Sequence, residues 1–258
     1  MFNQKLLILE IFVILIMSPI AFGQTDICIP QFVDGIVGPL QYRTMVVLQN
    51  QEQNQAQVQL QFYDNNGAPM QQFMMHRRGM HGGQSPASNG QFTPDPIGPG
   101  GAMGYRSGGE GGFQVGFVQI QSQSRIQAHT RAQLFDLSGN LLSETNIIPG
   151  PQFHNGSFYA DRADGAGIGL ALTNISGNQT TICTLEIFAD DGTLLDTTQI
   201  TLGPHSQIAQ FLFQIFPDIL TDDVGYVRIS CDNPICALAL HLRGFGMTQI
   251  PVVVEDIN

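Results

Sequence analysis

The chain has 258 residues, 43% of them hydrophobic and only 12% charged, which is enough apolar material for one large or two ordinary domains with real cores and argues against disorder throughout. Its formal net charge is -11 at pH 7 and Lys5 is its only lysine. Nothing in it would neutralise a run of phosphates, which disfavours nucleic-acid binding, and a mature chain without Lys5 would exclude lysine Schiff bases and Lys-Asn isopeptide cross-links.

In chain order, residues 1–23 come first: one cation in MFNQK, an apolar stretch, and AFG with small residues at Ala21 and Gly23. They read as a signal peptide removed on export; Glu10 and Pro19 interrupt the stretch as a retained anchor, and no later segment is apolar enough to span a membrane. The expected location is secreted or cell-envelope surface. There Cys28, Cys183, Cys231 and Cys236 favour disulfides, and no C-x-x-C pair suggests a metal. SCDNPIC sets Cys231 and Cys236 around an apparent turn and predicts a bond between them. By elimination Cys28 would pair with Cys183, although four cysteines allow three pairings and the spacing supports only the first bond.

Glutamine fills every odd position from Gln49 to Gln61, while Ala56, Val58, Leu60 and Phe62 fill even ones. Alternation of this kind is a strand with one apolar face, so Gln55, Gln57, Gln59 and Gln61 point outward. Gln119, Gln121 and Gln123 repeat the device. If the two strands adjoin, an outer face ruled with amides results. The plain reading is a soluble face in a charge-poor protein; the functional one is a contact surface, because amides both donate and accept hydrogen bonds. Carbohydrate is disfavoured as the ligand by the absence of Trp and the few Tyr, which leaves self-association or a protein partner.

MQQFMMHRRGMHGG follows. Met74, Met75, His76, Met80 and His81, with Met70 nearby, are soft ligands suited to Cu(I), though Arg77 and Arg78 would repel a cation and methionine is also ordinary packing material. Residues 74–112 are Gly- and Pro-rich without periodicity and read as a long loop or insertion; GGEGG within it suggests flexibility.

Two ordered matches indicate duplication. VVLQNQEQNQAQVQLQFYDNNGAPM from Val46 parallels LALTNISGNQTTICTLEIFADDGTLL from Leu170, and GFVQIQSQSRIQAHTRAQLF from Gly116 parallels GYVRISCDNPICALALHLRG from Gly225. The expected organisation is a first sandwich over residues 24–150, containing the 74–112 insertion, and a second over 151–258, joined near PGPQFHNG. Ile208, Phe211, Leu212, Ile215 and Phe216 recur at helical spacing before Pro217, predicting one short helix that plugs the second sandwich.

With FVDG, LTN, FADDG, FLFQIFP, GYVRIS and ALALHLRG, the chain resembles tandem immunoglobulin-like β-sandwich modules of uncharacterised secreted bacterial proteins. The resemblance covers most of residues 28–254 and rests on turn and core positions. It implies export and an all-β fold of two tandem antiparallel sandwiches, and it carries over no catalytic residue.

G-x-S-x-G, H-E-x-x-H and P-loop motifs are absent. His129, His154, His205 and His241 are scattered singly. Acidic pairs at Asp161 and Asp164, Asp190 and Asp191, and Asp222 and Asp223 sit in apparent turns, where Asp is common for backbone reasons; a calcium site between modules is the functional alternative. Asn155, Asn174 and Asn178 head glycosylation sequons. The expectation is a non-enzymatic structural or adhesive protein without a cofactor, with an extracellular copper-binding protein as the alternative.

Overall fold

The computed structural model describes residues 25–71, 73–78, 84–161, 166–219 and 224–255. The expected signal peptide, Met80, His81, Asp164, Asp222 and Asp223 lie outside them. The described chain is nearly all β, with antiparallel pairing throughout its named strands and two separate hydrogen-bonded networks.

The first network contains β1 (Thr25–Val37), β2 (Leu40–Asn50), β3 (Val58–Asp64), β4 (Phe73–Arg77), β5 (Gln84–Ala87), β6 (Gln91–Phe92), β7 (Ala102–Ser107), β8 (Gln114–Ser122), β9 (Ile126–Asp136) and β10 (Leu141–Ile147). Its strands form two layers. One is ordered β1-β8-β3-β6 and the other β5-β4-β7-β2-β9-β10. Strand β1 serves both, pairing with β8 as far as Asp34 and with β2 from Gly35, where φ is +100° and a side chain would run into the Gly112 backbone. Between the layers lie Phe32, Phe62 and Phe73 in mutual edge-on or tilted contact, with Val46, Leu48, Leu60, Val118 and Ile120.

The second network contains β11 (Phe153–Tyr159), β12 (Gly167–Thr173), β13 (Thr181–Ala189), β14 (Leu194–Leu202), β15 (Gln207–Phe211), α1 (Leu212–Ile215), β16 (Val224–Arg243), β17 (Gly246–Ile250) and β18 (Val253–Val254). Its layers are β14-β13-β16-β11-β18 and β15-β12-β16-β17, sharing β16, whose first half pairs in one layer and whose second half pairs in the other.

Superposing the pairings reproduces the sequence repeat. Strands β2 and β12, β3 and β13, β7 and β15 and β10 and β17 hold equivalent neighbours, and β8 followed by β9 does what β16 does alone. Gly116 and Gly225 open the equivalent segments because a methyl group on either would strike the end of the adjoining strand, at the Tyr63 carbonyl and the Asp190 amide respectively. Asn50 and Asn174 end the equivalent strands and are fully buried. Asn50 Nδ2 donates to the carbonyls of Asn54, Ile97 and Gly98, and its oxygen accepts from the Glu52 amide. Asn174 repeats the set with Gln179, Leu202 and Gly203, and with the Ser176 amide.

Two expectations need correction, and the expected short helix is present but starts later than its spacing suggested. Residues 74–112 are not an unstructured insertion: β4, β5, β6 and β7 lie in or overlap them and complete both layers of the first sandwich. The helix is a single turn, because Ile208 and Phe211 are taken by the β15 ladder to β12; Leu212, Ile215 and Phe216 do close the second core. SCDNPIC is not a hairpin turn but the point where β16 crosses from one layer to the other, so Cys231 and Cys236 sit on one strand about 16 Å apart. Cys183 on β13 instead bonds Cys231, its direct cross-strand partner on β16.

The asparagine pins set a measurable expectation. Asn174→Ala, which removes four hydrogen bonds made by a buried side chain, should lower the unfolding free energy by about 2–4 kcal/mol, and Asn50→Ala should do the same in the first sandwich. Urea denaturation followed by circular dichroism measures both.

Candidate functional site

Gln55, Gln57 and Gln59 are exposed while Ala56, Val58, Leu60 and Phe62 are buried, so the alternation is physically present. Strands β3 and β8 adjoin, placing Gln59 opposite Gln121 and Gln61 opposite Gln119. Gln57, Gln59, Gln121 and Gln123, with Thr93, line a cleft of about 280 Å³ floored by Val58 and Ser122. The Ser122 hydroxyl donates to the Gln57 carbonyl across its base at 2.7 Å. Every cleft residue is neutral. Asp26 on β1 lies opposite Gln121.

The other end of the amide row is not free. Gln119 is buried and donates to the Asp26 carboxylate, and Gln61 is half-buried and donates to the Asn89 carbonyl. Beyond them Phe117 and Tyr63 carry the second sandwich. Tyr63 stacks on His205 with ring centroids 4.3 Å apart, Gln207 Nε2 donates to the Pro30 carbonyl, and the Gln207 amide donates to Asn65. Burial in this contact holds the His205 imidazole below its ordinary pKa. The linker between β10 and β11 is itself clamped: Gln249 exchanges two hydrogen bonds with the Ile148 backbone.

The proposed metal ligands are divided by the strand they occupy. Met75 is 1% exposed and points into the core with Met70, so it is packing material; Met74 and His76 fall on the opposite face of β4. Arg77 pairs with Asp95 at 2.8 Å. No group of three or more His, Cys, Asp or Glu residues suited to a metal occurs among the described residues. Asp191, in the turn after β13, holds the Thr193 amide, as Asp64 and Asp136 hold the amides of Asn66 and Ser138 in theirs.

One polar cluster was not anticipated. Asp34 is 1% exposed and accepts from the Gly109 amide at 2.7 Å and from Ser107, with Arg43 and His76 nearby. Burial raises its pKa, and these four groups oppose the rise. The Ser107 hydroxyl is fully buried and also accepts from the Thr44 amide, which leaves it no access to a substrate. The cluster's chemistry is structural: with Gln41 Nε2 on the Gly109 carbonyl and Ile36 on Gly111, it straps the GGEGG segment to β1 and β2. FVDG was the visible signal, but the partner lies 75 residues away in sequence. No helix among the described residues is long and apolar enough to cross a membrane. Compared with protein-family models, curated proteins and solved structures, the chain matches none.

Asp34→Ala should therefore release GGEGG. A Glu-directed protease is expected to cut the variant at Glu110 at least tenfold faster than the parent, with a stability loss of about 2–4 kcal/mol.

Proposed function

We propose that this chain is a non-enzymatic structural or adhesive component of the extracellular space or cell-envelope surface, acting through protein contacts made by the amide face. A second copy of the chain is the partner that suits this face. The supporting observation is the neutral cleft formed by Gln57, Gln59, Gln121 and Gln123 on adjoining strands. Two copies at net charge -11 repel each other, and an uncharged face that offers donors and acceptors alike is where that repulsion costs least. Edge strand β14 adds a second neutral contact, since Leu194–Leu202 pairs only with β13 and carries Asp196 as its one charge. The copper reading is weaker, because Met75 is committed to the core.

Replacing Gln57, Gln59 and Gln121 together with Glu tests the proposal. The variant should fold like the parent, because outward strand positions tolerate polar exchange, while like charges on neighbouring strands should weaken self-association at least tenfold at low salt and less at high salt. Light scattering over a concentration series at two ionic strengths reads the result. A parent that stays monomeric at every concentration, or a variant that associates as the parent does, overturns the proposal.

A further inference from the structure

The two sandwiches meet around a small core of their own: Cys28 from β1, Phe117 from β8, Ile175 from the loop after β12, and Cys236 from β16, with Tyr63 packed against it. Cys28 and Cys236 are 2% and 1% exposed and stand as unbonded thiols in this structure, with their side chains in hydrogen-bonding contact. They are brought together by defined elements. In the second sandwich Thr173 pairs with Gln207 on one side and Cys236 on the other, so these three residues form a row across β15, β12 and β16. Gln207 then grips the carbonyl of Pro30, next but one to Cys28, where the β1–β8 register shifts between Ile29 and Phe32. The grip on Pro30 sets Cys28 over Cys236.

We infer that Cys28 and Cys236 form a second disulfide, one that joins the two sandwiches covalently, whereas Cys183 and Cys231 staple the second sandwich alone. Two S–H bonds break, one S–S bond forms, and two protons and two electrons pass to a disulfide acceptor, such as oxidised glutathione or an oxidised dithiol protein, which leaves as two thiols. The bond closes nearly the whole described chain into one loop and fixes the sandwiches against each other. Timing follows from burial. Desolvation, Cys236 and Asp26 all disfavour the Cys28 thiolate in the folded protein, and the thiolate is the attacking species. Oxidation is therefore fast while the sandwiches are still docking and slow once they have closed over an unoxidised pair.

The test is the full chain exported to an oxidising compartment, alkylated in denaturant without reduction, and digested with trypsin plus an Asp-directed protease, which separates Cys231 from Cys236 at Asp232. The expected map joins the Cys28 peptide to the Cys236 peptide and Cys183 to Cys231, with no alkylated thiol. Cys28→Ser and Cys236→Ser should each expose one thiol and lower the unfolding midpoint by roughly 10 °C, a difference that disappears when parent and variants are compared in reductant. Folded parent protein with Cys28 and Cys236 both alkylated, or with either joined to Cys183 or Cys231, overturns the inference. If the variants do not fold, the parent map alone decides it.

Discussion

A buried asparagine at the end of a central strand, its amide shared among three carbonyls, is the constraint on which both sandwiches depend. The chain must leave one layer and enter the other at this point, and the asparagine amide ties the departing strand to the carbonyls of two neighbouring segments. Only a side chain that donates and accepts at once can bridge three carbonyls and hold the following backbone amide as well. With the crossover fixed, the next strand starts in the opposite layer in register, and the long segment β8–β9 or β16 can then pair in both layers. The same device in both halves explains why the duplicated pattern centres on Asn50 and Asn174.

The arrangement of the two sandwiches follows from the low charge of the chain. A face of Gln, Tyr and Phe with few ions can be covered at small desolvation cost, and the second sandwich covers the end that carries Phe117, Tyr63 and Cys28. The end bearing Gln57, Gln59 and Gln121 stays open. One strand pair thus holds an internal interface and an exposed neutral cleft side by side, which ties the proposed contact surface rigidly to the joint between the modules.

Much of the candidate site was legible because strand alternation is local. From Ala56 to Phe62 each residue's exposure follows from its parity, whereas the adjoining of β3 and β8 was a condition in the sequence and the pairing of Gln59 with Gln121 came from the fold. Parity alone could not show that Gln119, on the same face as Gln121, would be buried and held by the Asp26 carboxylate. It also could not separate Met75 from Met74 until β4 was known to be a strand. Composition suggested a loose GGEGG, and a single buried carboxylate from the other end of the module holds it in place.

The sequence by itself determined the all-β class, the duplication and the direction of the glutamine row, since each is a property of neighbouring residues and their periodicity. Tertiary structure alone decided the disulfide partner of Cys183, the formation of β4, β5, β6 and β7, the shortening of the helix to one turn and the meeting of Cys28 with Cys236. Each of these depends on which strand lies beside which. Ladder pairing and layer crossing bring together residues tens to hundreds of positions apart, and no local pattern records that choice.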